Sequence, residues 1–356
     1  MDEAFGAAPG HGAAGVTAAS RLWIAGALGL ALAACLPAPE LATPPPAPDS
    51  TVTSAARAAA TAGSTGAEDG CSIFPADNIW NTVIADAPVD PLSDAYVQSI
   101  GLDEPMHPDF GQGLWDDGPI GIPYAEAGST TPREPVEFYY PDESDPGPYP
   151  IPTEAPVEGG PDSDGDRHIL ILETDECRLY ELYDARLESG RWTAGSGAIF
   201  DLRSNTLRPA GWTSADAAGL PIFPGLVRFE DVASGEIRHA LRFTAPQTQR
   251  AYVWPARHFA SDFTDSALPP MGQRFRLRAD FDLEPFSPDV RVILRALQTY
   301  GMMLADNGSP WFLSGAPDER WDNEVLHELA QVHGRDFEAV DVSGMVTDLA
   351  TGRARP

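Results

Sequence analysis

The sequence predicts an α+β protein: mainly antiparallel β-sheet with two late helices, in a single domain with long loops. Three observations carry this. Short apolar or alternating runs recur between residues 135 and 281, separated by turn residues rather than helical stretches. The two convincing amphipathic helical patterns come only after residue 286. Residues 71–166 are rich in Pro, Gly and Asp, with few periodic segments, which gives long connections.

Taken in order, residues 92–100 read as a short helix and 135–140 as a strand. His168-Ile-Leu-Ile-Leu-Glu173 is a strand, and residues 178–185 pair with it across Thr174-Asp-Glu-Cys177 as a hairpin. Residues 236–244 and 249–255 form a second hairpin candidate across Ala245-Pro-Gln247. Residues 274–281 alternate arginine with apolar side chains, as a strand half-exposed to water does. Ser287-Pro288 opens a helix whose apolar stripe is Val290, Ile293, Leu294 and Leu297, ending at Gly301. Residues 302–305 and 311–313 flank the turn sequence Asp306-Asn-Gly-Ser309. Residues 318–333 read as the second helix, with Trp321, Val325, Leu329 and Val332 on one side.

Upstream of this domain the chain carries an export signature. Arg21 precedes a 13-residue apolar run, too short for the roughly 20 residues of a membrane span, and Leu32-Ala-Ala-Cys35 ends it like a lipobox. Residues 1–35 are therefore expected to be a lipoprotein signal peptide, with Cys35 as the lipidated residue. Asp2 and Glu3 stand where such leaders usually carry basic residues, which makes Val16 a candidate initiator. Residues 36–70, built from Pro, Ala, Thr, Ser and Gly, bury too little apolar surface to offset ordering entropy and read as a disordered linker. Residues 71–346 form the globular domain, and 347–356 a disordered tail. The expected location is the bacterial cell envelope, with membrane contact through the lipid anchor only.

Charge narrows the function. The chain has 53 acidic and 23 basic residues, a formal charge of −30. Such a chain is repelled by phosphate backbones and anionic lipid surfaces, so nucleic acid is excluded as a partner. All the basic residues are arginine. Without lysine there is no Schiff base, no pyridoxal phosphate anchor and no P-loop or kinase lysine. Of three cysteines, Cys35 belongs to the lipobox, which leaves Cys71 and Cys177 to pair in an oxidising compartment.

Six of the seven histidines follow residue 70, and three share a context: Arg167-His168, Arg238-His239 and Arg257-His258. Strand alternation puts His239 with Leu241 and Phe243, His168 with Leu170 and Leu172, and His258 with Tyr252 and Trp254. Each imidazole is thus on an apolar face, and the three are candidates to line one pocket as general acids and bases. Asp201 and Asp306, at strand ends, are further acid/base candidates. Arg203 and Arg208 supply forks suited to an anion, and Trp212 a flat face for substrate. A glycosidase needs paired carboxylates and uronate elimination needs a base with a neutralising cation; the sequence holds ingredients for both. Asp162, Asp164 and Asp166 alternate like half a calcium loop, but Arg167 replaces the glycine such a loop needs. No other cofactor is indicated. GxSxG, HExxH, GxGxxG and CxxC are all missing. Trp80, Trp115, Tyr139, Tyr140 and Tyr149 sit among Pro, Gly and Asp, where aromatic faces can stack on sugars.

Several long motifs resemble an uncharacterised family of secreted bacterial proteins. They are Phe74-Pro-Ala-Asp-Asn-Ile-Trp-Asn81, His107-Pro-Asp-Phe-Gly111, Gly121-Ile-Pro-Tyr124, Asp142-Glu-Ser-Asp-Pro-Gly147, Gly165-Asp-Arg-His168, Arg208-Pro-Ala-Gly-Trp-Thr-Ser-Ala-Asp216 and Trp254-Pro-Ala-Arg-His258. The resemblance spans about residues 73–342. Some such proteins carry carbohydrate-binding modules, which implies polysaccharide or cell-envelope glycan as the working partner; it implies no catalytic residues. The expectation is a carbohydrate-active hydrolase or lyase, and the rival a non-catalytic glycan- or wall-binding lipoprotein.

Overall fold

A computed structural model describes residues 71–355. Cys35, the signal and the linker lie outside the described residues. The fold is mixed α/β, with more sheet than helix. The first stretch contains α1 (Ser93–Ile100), β1 (His107–Asp109), β2 (Leu114–Trp115), β3 (Gly118–Pro119), β4 (Tyr124–Ala127) and β5 (Val136–Phe138). The middle contains β6 (Ile169–Glu173), β7 (Arg178–Tyr183), β8 (Arg186–Glu188), β9 (Arg191–Ala194), β10 (Ser196–Asp201), α2 (Phe229–Ser234) and β11 (Leu241–Ala245). Last come β12 (Arg274–Leu277), α3 (Pro288–Thr299), β13 (Met302–Asn307), β14 (Phe312–Ser314), α4 (Asn323–Leu326) and β15 (Phe337–Val340).

Two sheets matter for the site. The larger runs β1-β14-β11-β13-β12-β15, and the smaller β10-β7-β6-β4. Strands β6 and β7 pair antiparallel through the expected turn, where Cys177 takes a left-handed backbone. That turn is tied to the start of the described chain by the Cys71–Cys177 disulfide, with Cα atoms 5.5 Å apart. The core of the larger sheet is aromatic: Trp311 stacks between Phe243 and Phe337, at 5.6 and 5.2 Å between ring centres. Helix α3 buries the foreseen Val290, Ile293, Leu294 and Leu297.

Several local expectations give way to long-range pairing. The second hairpin does not form. Strand β11 is interior, flanked by β13 in parallel and β14 antiparallel, so both its edges are taken; Tyr252 instead bridges Met271. For the same reason β13 and β14 do not close a hairpin around Asp306-Asn-Gly-Ser309, because β11 lies between them. Parallel pairs β1/β14, β4/β6, β5/β9 and β11/β13 make the sheets more mixed than the turn-rich sequence suggested. The helix expected over 318–333 is shorter. Asp318 closes a turn on the Arg320 amide, and Asp322 caps the amides of Glu324 and Val325, so α4 begins only there and passes into a 3₁₀ turn at His327. The tail expected to be disordered is packed. Ala354 is buried, Arg353 pairs with Asp77, and the indole of Trp254 donates to the Thr351 carbonyl.

The disulfide spans 106 residues. Replacing both cysteines by alanine is expected to lower the unfolding free energy by about 2–5 kcal/mol, measured by denaturant titration of the oxidised protein against the variant.

Candidate functional site

Strand β11 supplies the centre of the site. Leu241, Phe243 and Ala245 face the aromatic core, while Arg242 and Thr244 point to the other face. A register shift between Phe243 and Thr244 skips Ala305 and sets Asp306 opposite Thr244. This bulge brings Asp306 to the face of Arg242. The Arg242 guanidinium is nearly fully buried and makes a bidentate pair with Asp216, Nε and Nη2 each donating at 2.9 Å. Its Nη1 donates to Ser314 Oγ at 2.6 Å, and Nη2 lies 3.5 Å from Asp306 Oδ2.

Asp216 belongs to a loop, 213–218, whose polar groups are almost all engaged. Ser214 Oγ donates to the Leu220 carbonyl and accepts the Asp216 amide. Ser196 Oγ donates to the Ser214 carbonyl, and the Ala218 amide to the Ala305 carbonyl at the bulge. His168 Nε2 meets the Ala215 carbonyl at 2.9 Å, and His258 Nδ1 meets the Ala217 carbonyl at 2.8 Å. A carbonyl can only accept, so each of these ring nitrogens carries its hydrogen. For neutral His258 that leaves Nε2 as the basic nitrogen.

In front of this loop lies a cavity of about 380 Å³, lined among others by Glu143, Asp166, Asp216, His258 and Asp306. Tyr140 is on its wall and half-exposed, with Tyr139 packed edge-on against it at 4.7 Å. Burial, then the Asp216 charge, push the Asp306 carboxyl up to about 7, with Arg242 and His168 pulling the other way. The cavity therefore holds an acid that exchanges its proton near neutrality, an imidazole of fixed tautomer, and further carboxylates.

Of the three histidines expected to share a pocket, His258 lines this cavity and His168 stands directly behind it. His168 is 2% exposed, with Nδ1 on the Glu158 carboxylate. Burial pulls its pKa down, but the charge and hydrogen bond of Glu158 outweigh this and lift it to about 9. His239 does not join them. It is buried against Arg228 Nη2 at 2.9 Å and Asp231, with Nδ1 on the Ala240 carbonyl. Asp201 closes its own turn on the Arg203 amide, and both side chains are exposed. Arg208 is turned inward. It pairs with Asp145, donates to the carbonyls of Glu143 and Thr213, and is covered by the rings of Phe200 and Trp212. Arg208 and Trp212 thus brace two residues of the cavity wall from behind. At the acidic 162–166 turn, Arg167 donates to the Pro161 and Ser163 carbonyls, so a guanidinium occupies the inside of the turn. Among the described residues no three His, Cys, Asp or Glu side chains converge as a metal set.

Sequence reasoning missed Arg242, Asp216 and Glu158. Alternation placed Arg242 opposite the apolar face of its strand, which normally means solvent; only the packing of the 213–218 loop buries it. Comparison with protein-family models, with curated proteins and with solved structures finds no match to this chain.

Because His168 is raised above its ordinary 6.5, its imidazolium stabilises the fold in full below about pH 6.5, and that contribution is lost as pH rises through about 9. Thermal melts between pH 6.5 and 9 are expected to show falling stability in the wild type and a flatter profile in His168→Asn.

Proposed function

We propose that this is an exported, lipid-anchored glycan hydrolase whose single globular domain cleaves polysaccharide in the 380 Å³ cavity. The observation that carries the reading is the joint presence there of Asp306, with its carboxyl near 7, and His258, with Nε2 left basic. Asp306 donates its proton to the glycosidic oxygen as the C–O bond breaks. His258 Nε2 takes a proton from the water whose oxygen bonds to the sugar carbon. The surrounding carboxylates of Glu143 and Asp166 suit the positive charge that develops on the sugar in such a transition state. Tyr139 and Tyr140 offer ring faces for sugars at the rim.

Hydrolysis fits this site better than elimination. A lyase acting on a uronate needs a cation against the substrate carboxylate. Among the described residues no arginine lines this cavity, and the Arg242 guanidinium behind Asp216 is committed to Asp216 and Ser314. Neutral or amine-bearing glycans are therefore the substrates of choice. The aromatic rim alone would also serve a non-catalytic binder, and turnover separates the two.

The test is release of new reducing ends from a panel of neutral and amino-glycans. Asp306→Asn and His258→Ala are each expected to lower kcat about 100- to 10,000-fold while remaining folded. The rate should fall above about pH 7 as Asp306 loses its proton. A folded wild type inert on the whole panel, or an Asp306→Asn variant with undiminished kcat, overturns the proposal.

A further inference from the structure

A second cavity, of about 550 Å³, lies at the Glu158 end of the Glu158–His168–Ala215 chain. Its walls are edge strand β1, the β2–β3 hairpin, the chain at Glu158 and the start of the 3₁₀ turn at His327. Each wall is anchored. Strand β1 pairs with β14 in parallel, and the ring of His107 stacks on Phe312 at 4.2 Å. Gly118 approaches the Gly159 backbone so closely that a Cβ there would lie 2.2 Å from its carbonyl carbon. Asn323 grips Gln112 through both its amide nitrogen and its carbonyl oxygen.

The lining is chemically one-sided. His107 and Asp109 project from the same face of β1, since Pro108 between them is buried. Asp109 faces the cavity with Glu158 nearby, and its side chain makes no hydrogen bond within the described residues. No arginine lines the cavity. Glu158 is matched by His168 behind it, which leaves Asp109 as the unmatched carboxylate. Beside these groups stands Trp115, 79% exposed on its hairpin, with the apolar side chains of Phe110, Ile120 and Leu326 deeper in.

We propose that this cavity is a second ligand site, which binds a ring-shaped ligand bearing an ammonium group, as an amino-sugar unit of a glycan does. The ammonium would lie against Asp109, and the ring face against Trp115. Carboxylate and indole both favour a cation, one by charge and the other through the face of its π-system. An ammonium also offsets the partial desolvation in the cavity and the Glu158 repulsion that raise the Asp109 carboxyl above its ordinary range, an effect that His107 and Arg242 already oppose in part. His107 is held below its ordinary value by partial desolvation first, with Asp109 opposing this and His327 adding to it, so it offers the ligand little competing positive charge near neutrality. The site deepens the glycan reading by adding a substrate class, but its occupancy does not depend on hydrolysis.

Isothermal titration with a glucosamine tetramer at about pH 6, where its amines are mostly protonated, tests this, with its fully N-acetylated counterpart as the control that keeps the ring and removes the charge. The background is Asp306→Asn, which slows turnover; Asp109 and Trp115 lie outside the first cavity, so only the binding that their substitution removes is assigned to the second. Binding at least 10-fold tighter for the amine, weakened at least 10-fold by Asp109→Asn and by Trp115→Ala, is the expected result. Equal affinity for both tetramers, no binding at millimolar amine, or binding untouched by both substitutions overturns the proposal. Turnover by the wild type, read separately, reports on the first cavity alone.

Discussion

The structure around both cavities depends on one ion pair, Arg242 with Asp216. Neither side chain reaches water, so each would carry a large desolvation cost alone. Their fork-to-carboxylate geometry, completed by Ser314, offsets that cost and fixes three elements to one another: strand β11, strand β14 and the 213–218 loop. Asp306 is positioned by the same contact. It lies close enough to Arg242 to feel its charge, yet Asp216 already holds the two best donors. A carboxyl buried beside an occupied guanidinium is held near neutrality rather than ionised, and this is the property the proposed chemistry uses.

The remaining charges extend this arrangement. Glu158, His168 and the Ala215 carbonyl form a line from one cavity to the loop that lines the other. His168 is a positioning residue in that line, buried and held protonated by its partner, and it fixes the loop rather than meeting a ligand. Arg208 does comparable work from the opposite side, through the carbonyls of Glu143 and Thr213. Of the two arginines of this lysine-free chain that were candidates for anion binding, Arg203 is exposed and Arg208 is committed internally, as Arg242 also is. What they leave exposed at the cavities is acid, in keeping with the charge of −30.

Local signals in the sequence were readable where local physics decides. The β6–β7 hairpin and helix α3 with its Pro288 start rest on alternation and turn chemistry, and the pairing of Cys71 with Cys177 on cysteine count; His258 lines the first cavity from a loop, since the strand expected before it does not form. Non-local decisions were not readable. Nothing in residues 236–255 says that β11 will be interior, with its edges given to β13 and β14, so a hairpin was the natural expectation. The bulge that turns Asp306 toward Arg242 depends on that pairing, and so does the burial of Arg242. His239 follows the apolar parity inferred for it, but parity says nothing about which cavity a face meets. The ordered tail was missed because its contacts, Arg353 with Asp77 and Thr351 with Trp254, join segments far apart in sequence.

The most direct measurement of the central claim is the titration of the Asp306 carboxyl itself, followed by carbon NMR in the wild-type protein. Burial of Asp306, then the Asp216 charge, acting against Arg242, predict a midpoint of about 7. A midpoint near the ordinary aspartate value of 3.8 would contradict it, because the carboxylate would then be solvated or paired in a way this structure does not contain.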